Sequence, residues 1–196
     1  MSRWEPGARE RLQGAALALY SSKGYEVTTV AEIAQAAGLT ERTFYRHFAD
    51  KREVLFTVYD QFTQPFIDGV NAAPEGAPPM QLVTSAVIGA AGFFTADRRP
   101  YSRTRQGVIV ANPELHEREL LKLASLAATL ADALRKRGVA DPAATLSAEL
   151  GVTVYRVSFE LWIAEGESRE MADIERAVFA EVGILVTGDS GAPQQV

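Results

Sequence analysis

The chain has 196 residues, of which 47% are hydrophobic and 9% aromatic, so it is long enough to bury a sizeable core. It contains no cysteine, which excludes disulfides and thiolate chemistry and fits a reducing cytoplasm, the location that we expect. The formal net charge is −5, but residues 42–52 hold four Lys or Arg against one Asp, so a basic patch exists within an acidic chain.

Apolar residues recur at helical spacing through nearly the whole sequence, and no alternating stretch predicts a strand, so the predicted fold class is all-α. The predicted helices cover, in chain order, residues 6–23, 29–37, 40–48, 50–70, 80–95, 100–111, 113–137, 142–165 and 169–186. Prolines and a glycine predict a loop over residues 71–79, and residues 188–196 are predicted to form a flexible tail. The amino terminus is charged and no apolar run is long enough to cross a bilayer, so we expect neither a secretory signal nor contact with a membrane.

The most informative stretch is TVAEIAQAAGLTERTFYRHF, residues 29–48, which predicts two short helices joined by a tight turn. Thr29 and Glu32 have the spacing of a capping box at the start of the first helix. Gly38 permits the left-handed backbone of the turn, and Thr40 can cap the second helix. This arrangement is typical of a helix-turn-helix unit, whose second helix enters the major groove of DNA.

The second helix of this unit has two chemically different faces. Leu39, Phe44 and Phe48 are expected to pin it against the protein, because large apolar side chains are stabilised by burial. The opposite face consists of Glu41, Arg42, Thr43, Tyr45, Arg46 and His47. We expect this face to point outward, towards base edges and phosphates. Taken one at a time, each residue has the alternative of an ordinary solvated side chain or, for the tyrosine, of a core ring with a solvated hydroxyl.

Residues 24–56, GYEVTTVAEIAQAAGLTERTFYRHFADKREVLF, closely resemble the DNA-binding segment of TetR-family transcriptional regulators. The shared pattern is T-V-x-x-I-A-x-x-A-G-L-T-x-x-T-F-Y-x-H-F-x-x-K. The resemblance implies a helix-turn-helix DNA-binding domain at residues 1–50. It implies that double-stranded operator DNA is contacted by Thr29, Thr40, Glu41, Arg42, Thr43, Tyr45, Arg46, His47 and Lys51.

The resemblance also divides these contacts by role. The residues that it places at base edges are Glu41, Arg42 and Thr43. The residues that it places at phosphates are Thr29, Tyr45, His47 and Lys51. Arg46 fits no fixed position of the pattern and suits either a base or a phosphate.

The same resemblance implies that residues 51–187 form a ligand-binding and dimerisation domain, so that the protein is a homodimer. The predicted helix 142–165 is apolar on two faces, which favours packing on its own domain with one face and on a partner with the other. The predicted dimer interface consists of Leu150, Val154, Val157, Leu161, Ile174, Val178, Val182 and Leu185. Burial of both faces within one monomer is the alternative, and which face lines the interface stays open.

A pocket for a small-molecule effector is expected in the same domain. In AVIGAAGFF, residues 86–94, glycines beside phenylalanines leave space next to large rings, although close helix packing explains the glycines equally well. The arginines of DRRPYSRTRQ, residues 97–106, fit an anionic headgroup or form a solvated charge run. The segment RTRQGVIVANPELHERELLKLA, residues 103–124, is distantly similar to regulators of acyl-CoA-like thioesters. The predicted pocket residues are Phe62, Phe66, Val87, Phe93, Phe94, Arg98, Arg103, Arg105, Tyr155 and Phe159.

An enzyme is not expected, because the chain has no cysteine, two histidines far apart, and no metal-binding, phosphate-loop or nucleophile-elbow motif. No catalytic residue, metal site or cofactor is therefore predicted. The sequence predicts a ligand-responsive, sequence-specific DNA-binding regulator, a repressor that a small apolar or amphipathic ligand releases from a palindromic operator. A helical ligand-binding or interaction module without operator binding is the alternative.

Overall fold

The computed structural model describes residues 7–188, except for the side chains at positions 57, 58 and 60–62. Over this part of the chain it contains nine α-helices and no strand, so the predicted all-α class is confirmed. The helices are α1 (Ala8–Ser22), α2 (Val30–Ala36), α3 (Glu41–His47), α4 (Thr57–Ala72), α5 (Pro79–Ala90), α6 (Arg99–Val110), α7 (Pro113–Lys136), α8 (Ala143–Trp162) and α9 (Met171–Thr187). Among the described residues, no single helix is both long enough and apolar enough to cross a membrane. Two consecutive segments, Pro79–Phe93 and Ala96–Val110, meet both conditions only when they are counted together, and the chain bends by 70° between them.

The start of the fourth helix differs from the prediction, because α4 begins at Thr57 rather than near Asp50. A carboxylate oxygen of Asp50 accepts hydrogen bonds from the backbone N–H groups of Arg52 (2.8 Å) and Glu53 (3.2 Å). Asp50 therefore caps a short 3-10 turn, Glu53–Leu55, that precedes α4. Asp50 thus caps as predicted, but the element that it starts is the 3-10 turn and not α4.

The chain packs as two compact units. Unit 1 consists of the described residues within Met1–Gln61 and Pro100–Lys122, and unit 2 of those within Phe62–Arg99 and Leu123–Val196. Packing thus groups residues 100–122 with the amino-terminal helices, and the predicted domain ranges 1–50 and 51–187 stay predictions. The predicted tail, residues 188–196, lies outside the described residues except for Gly188.

The core of unit 1 forms around aromatic side chains. Phe44 and Phe56 are fully buried, and the rings of Tyr20 and Tyr25 pack edge to face with centroids 5.2 Å apart. Burial of one such side chain contributes about 1.5–3 kcal/mol. The helices α2 and α3 have seven residues each, which is too short for stability in isolation, so packing against α1 holds them.

A glycine in unit 2 sets how closely two helices approach. At Gly69 on α4, a β-carbon would lie 2.5 Å from the carbonyl oxygen of Ser85 and 2.7 Å from the α-carbon of Ala86 on α5. Side chains do not come this close to a backbone, so only glycine allows this crossing. α5 in turn packs against α8, and α8 packs against α9.

Aromatic rings from three segments fill the interior of unit 2. The ring centroid of Phe94 lies 5.7 Å from those of Tyr155, Phe159 and Trp162 on α8, and the ring of Phe66 on α4 lies 5.6 Å from that of Tyr155. Edge-to-face and tilted ring pairs at these distances are favourable. We call these five residues the aromatic cluster.

A carboxyl group is buried in unit 2 without a partner. Glu175 on α9 has no exposed surface, and neither of its oxygens accepts a hydrogen bond from the described residues. Burial raises the pKa of Glu175 to about 8, and the neighbouring Arg176, which lowers it, does not offset this effect. Arg176 itself is paired with Asp173 at 2.7 Å. Glu175 is therefore mostly protonated at neutral pH.

The free energy of unfolding is expected to fall by up to a few kcal/mol as the pH rises from about 5 to about 8. A carboxyl group whose pKa is raised by folding binds its proton more tightly in the folded chain. The stabilisation is therefore present at low pH and is lost as the pH passes through the folded pKa. Urea unfolding at several pH values measures this slope.

Glu175→Gln should remove most of that slope. Glu181→Gln is the matched control, because this residue is an exposed glutamate on the same helix, and it should keep the slope. An equal slope in the unchanged protein and in Glu175→Gln would contradict the prediction.

Candidate nucleic-acid interface

The first helix of the predicted pair, α2, begins at a complete capping box. The Thr29 hydroxyl accepts a hydrogen bond from the backbone N–H of Glu32 (3.2 Å), and the Glu32 carboxylate accepts one from the N–H of Thr29 (2.9 Å). Lys23 donates a further hydrogen bond to this carboxylate, which together with the Thr29 contacts lowers the pKa of Glu32 to about 2. α2 therefore keeps an anionic cap throughout the physiological pH range.

The turn after α2 has the hydrogen-bond pattern of a glycine-terminated helix. Gly38 has a φ of 64°, in the left-handed region, as predicted. Its N–H donates to the carbonyl oxygen of Gln35 (3.0 Å), and the N–H of Leu39 donates to that of Ala34 (2.8 Å). These two bonds form a Schellman motif, which sets the direction in which the chain enters α3.

The helix α3 turns its two phenylalanine rings inward, as predicted. Phe44 is fully buried and Phe48 is 3% exposed, and their ring centroids lie 5.3 Å apart. Thr40 caps α3 by accepting a hydrogen bond from the backbone N–H of Thr43 at 3.2 Å. The buried rings and the cap together fix both the position and the rotation of this helix.

The opposite face of α3 is open to solvent. Its exposed members are Glu41, Arg42, Tyr45 and Arg46, and its half-buried members are Thr43 and His47. Tyr45 is 57% exposed although its ring packs edge to face on Phe44 at 5.5 Å. Arg42 makes no hydrogen bond or ion pair with any described residue, so all its N–H donors are available.

This face suits non-covalent binding of an acceptor-rich, anionic partner. It offers guanidinium, hydroxyl and imidazole donors on one side of a short, rigidly held helix. Within residues 7–188, no group of three or more His, Asp or Glu is arranged to hold a metal ion.

Lys51 is placed differently from the expectation that it contacts phosphate. Its ammonium donates hydrogen bonds to the carbonyl oxygens of Tyr25 (2.9 Å), Glu26 (3.0 Å) and Thr28 (3.1 Å), and lies 4.3 Å from the centroid of the Tyr25 ring. An ammonium has three N–H donors, so these carbonyl groups occupy all of them. The expected role is therefore corrected: Lys51 holds the segment that leads into α2.

Two segments that lie far along the sequence, most of α6 and the first part of α7, also belong to unit 1. Arg105 on α6 is 5% exposed, and its Nε donates to the carbonyl oxygen of Leu55 at 2.7 Å. Its guanidinium also lies over the rings of Phe56 (5.5 Å) and Tyr59 (5.6 Å). A cation in this position joins α6 to the residues that precede and begin α4.

Glu119 on α7 is the counter-ion of this arginine. One of its oxygens lies 3.7 Å from a terminal nitrogen of Arg105 and accepts a hydrogen bond from the Tyr59 hydroxyl at 3.2 Å, and the other accepts one from Gln106 at 2.8 Å. Burial raises the pKa of the Tyr59 hydroxyl, which therefore keeps the proton that it donates. We call Arg105, Gln106, Glu119 and Tyr59 the Arg105–Glu119 network.

Sequence reasoning missed this network, although one signal was present. Glu119 lies four residues from both Leu115 and Leu123, which are buried on the apolar face of α7. A carboxylate at such a core position predicts a buried partner. The sequence does not identify that partner, because Arg105 lies on another helix.

The predicted pocket residues are divided between the two units. In unit 2, the buried members are Phe66, Val87, Phe94, Tyr155 and Phe159, while Phe93 is half-buried and Arg98 is exposed. Arg103 and Arg105 belong to unit 1. The Nε of Arg105 donates to the Leu55 carbonyl and one terminal nitrogen lies 3.7 Å from Glu119, while the other terminal nitrogen is buried without a partner among the described residues. Its expected contact with an anionic headgroup therefore stays a prediction. The side chain of Phe62 lies outside the described residues.

The predicted dimer-interface residues fall into three groups by exposure. Leu161 and Leu185 are exposed, and Leu150, Val157, Val178 and Val182 are half-buried. Val154 and Ile174 are corrected, because both are buried in the core of unit 2 and have no surface to offer a partner. Leu146, which was missed, is 66% exposed and continues the helical spacing of the α8 stripe.

Two protein-family models match the sequence. The model described as bacterial regulatory proteins of the tetR family matches residues 14–58, and the model described as the MftR C-terminal domain matches residues 77–185. The first match covers α2, α3 and most of α1. The second covers more than half of the chain.

Individual proteins agree with these matches. The HTH-type transcriptional regulator TcmR of Streptomyces glaucescens is 40% identical over 78 residues, which cover 40% of this chain and 34% of TcmR, so the match spans about a third of that relative's length. The HTH-type transcriptional regulator YdeS of Bacillus subtilis is 26% identical over 94% of this chain and 82% of its own. A solved TetR-family regulator from Syntrophomonas wolfei superposes with a TM-score of 0.64 at 16% identity, over 92% of this chain and 95% of that one, a similarity of fold.

Glu119→Ala is expected to lower the free energy of unfolding by roughly 3–5 kcal/mol, because it leaves the Arg105 guanidinium buried without a counter-ion. Glu117→Ala, at an exposed site on the same helix, should change it by less than about 0.5 kcal/mol. Chemical denaturation followed by circular dichroism measures both variants. A loss below about 1 kcal/mol for Glu119→Ala would contradict the prediction, because the Arg105–Glu119 pair would then stabilise the fold no more than an ordinary surface ion pair does.

Proposed function

The chain belongs to the TetR family of transcriptional regulators, and from this premise we propose that it is a homodimeric repressor. It binds a palindromic operator with α3 of each protomer and leaves the operator when a small molecule binds unit 2. The observation that carries the proposal is the orientation of α3, in which Phe44 and Phe48 are buried while Arg42 and Tyr45 face solvent. A helix held in this way can enter a major groove without losing its packing.

Arg42 is the residue that we assign to direct reading of a base. It lies at the second position of α3, is exposed, and has no partner among the described residues. A guanidinium can donate two hydrogen bonds to guanine, which contributes roughly 1–3 kcal/mol of discrimination against other bases. Glu41 and Thr43 extend the contact to neighbouring bases.

Phosphate contact is assigned to residues around these positions, namely Thr29, Thr40, Tyr45, Arg46 and His47. Their hydroxyl, guanidinium and imidazole groups can donate to phosphate oxygens on either side of the groove. Lys51 supports them indirectly by holding the segment before α2. The net charge of −5 does not oppose this, because phosphates within a Debye length respond to the local cations of α3. Operator affinity should accordingly fall steeply with salt.

Dimerisation is assigned to the outer faces of α8 and α9. Leu146, Leu150, Val157 and Leu161 form an apolar stripe along α8, and Leu185 on α9 is 81% exposed. An apolar stripe of this length is typical of a surface that a second copy covers. A two-fold dimer presents two copies of α3, which matches an operator of two inverted half-sites.

Release from DNA is assigned to a ligand in unit 2, beside the aromatic cluster. Such a ligand shifts the equilibrium only by the difference between its affinities for the DNA-competent and released states, typically about 1–3 kcal/mol. The acyl-CoA-like effector suggested by the sequence relied on an arginine cluster. Arg103 and Arg105 belong to unit 1, and the terminal nitrogens of Arg99 donate to backbone carbonyl oxygens, so we propose an effector without an anionic headgroup.

Arg42→Ala is expected to weaken operator binding by roughly 1–3 kcal/mol and to relax the preferred base at one position of each half-site. Selection from random double-stranded DNA with the full chain first recovers the operator, for which a two-fold symmetric sequence is expected. Fluorescence anisotropy then measures the Kd. Lys136→Ala removes an exposed cation from unit 2 and controls for net charge. Recovery of no preferred sequence, or an unchanged preference in Arg42→Ala, would sink the proposal.

Leu161→Glu is expected to convert the dimer to a monomer, because a dimer would bury the new carboxylate without a partner. The monomer fold should tolerate it, since Leu161 is 42% exposed. Sedimentation equilibrium measures the mass. Val110→Glu, at an exposed apolar site in unit 1, should leave the dimer intact. A dimer that persists in Leu161→Glu would place the interface elsewhere.

A further inference from the structure

The outer face of α3 carries one acidic side chain, Glu41, beside its cations. Glu41 is exposed at the first position of α3, and its carboxylate neither accepts a hydrogen bond nor pairs with a cation in the described part of the chain. Two other carboxylates near the helix-turn-helix unit are paired, Glu32 with Lys23 and Asp50 with Arg52. Glu41 is therefore an uncompensated negative charge on the surface that we assign to DNA.

Helical spacing explains why Glu41 is unpaired. Side chains three and four positions apart are neighbours on a helix, and for Glu41 these are the buried Phe44 and the exposed Tyr45. Arg42 points about 100° away around the helix and has Arg46 as its own neighbour one turn on. Two neighbouring cations and an isolated acid do not stabilise α3, so this pattern of charge is suited to an external partner.

A carboxylate only accepts hydrogen bonds, which restricts the base edges that it can face. In the major groove, guanine and thymine present acceptor atoms, and adenine presents an amino group beside the acceptor N7. Cytosine presents its N4 amino group without an acceptor next to it on the same base. Cytosine is therefore the base that a glutamate carboxylate contacts most favourably.

We propose, on the premise that α3 reads an operator, that Glu41 is a specificity-determining residue that selects cytosine. Its carboxylate accepts a hydrogen bond from the N4 amino group of a cytosine in the base pair next to the guanine that Arg42 reads. Successive α-carbons are about 3.8 Å apart and stacked base pairs about 3.4 Å apart, so adjacent residues can reach adjacent base pairs.

The same carboxylate weakens binding to DNA that lacks this cytosine. It then faces base acceptors or phosphates and has no donor to compensate the repulsion. A protein discriminates between partners by penalising the wrong one as well as by contacting the right one. Glu41 thus increases the difference in affinity between operator and other DNA, while it lowers the affinity for DNA in general.

Selection from random double-stranded DNA with the full chain gives the base preferences of the unchanged protein. Arg42→Ala identifies the guanine, because the preference at that base pair is lost, and the position to inspect is the adjacent base pair. Cytosine should be preferred there. Replacement of this cytosine by another base should weaken binding roughly tenfold in fluorescence anisotropy.

Glu41→Gln should change the preferred base at that position from cytosine to adenine. The side-chain amide can accept a hydrogen bond from N6 of adenine and donate one to N7, which a carboxylate cannot do. A new base preference requires a folded and correctly placed α3, so damage to the helix does not produce this result.

Glu41→Ala should lose the preference for cytosine and should bind non-operator DNA about threefold or more tightly, because the repelled charge is gone. Glu181→Gln is the control for net charge, since Glu181 is an exposed glutamate on α9 in unit 2. It should leave the affinities for operator and non-operator DNA unchanged.

The assignment of Glu41 is overturned if no cytosine is preferred beside that guanine, or if Glu41→Gln still prefers cytosine. It is equally overturned if Glu41→Ala binds non-operator DNA no more tightly than Glu181→Gln does. An operator recovered without such a cytosine contradicts the role of Glu41 alone and leaves the repressor in place. Recovery of no preferred sequence contradicts the repressor, and the assignment of Glu41 then fails with it.

Discussion

The position of α3 depends on the burial of the Phe44 and Phe48 rings. A helix of seven residues is not stable by itself, so its packing energy comes from these rings and its rotation follows from where they point. Once they face inward, helical geometry places Arg42 and Tyr45 on the outer face. The Schellman turn at Gly38 and the Thr40 cap then fix the angle of entry. The exposed face of α3 is thus a consequence of core packing on the other side of the same short helix.

Two buried glutamates show how the same side chain takes different roles in the two units. Glu119 is surrounded by Arg105, Tyr59 and Gln106, and this network specifies how α6 and α7 dock within unit 1. Glu175 in unit 2 is equally buried but has no partner among the described residues, so it is held as an acid at neutral pH. The Glu119 carboxylate thus stabilises one particular packing of α6 against α7. The second glutamate is an acid buried without a partner among the described residues, and this burial lowers the stability of the chain where the carboxyl ionises.

Much of the fold was readable from local sequence, because local interactions decide it. The capping box at Thr29, the left-handed glycine at position 38 and the apolar spacing of the long helices each act within a few residues. The start of α4 differs from the prediction: Asp50 accepts hydrogen bonds at the start of the next turn, but that turn is a 3-10 turn, and its Leu55 carbonyl accepts a hydrogen bond from Arg105 on another helix.

By itself, the sequence determined the all-α class, the helix-turn-helix pair and the two faces of α3, since each follows from residue spacing along one helix. Tertiary structure decided the partners of the charged and apolar side chains. It placed the Lys51 ammonium on three carbonyl groups, Arg105 on Glu119, and Val154 and Ile174 inside unit 2. Spacing indicates which side of a helix a residue occupies, but the identity of what covers that side is fixed only when distant segments pack together.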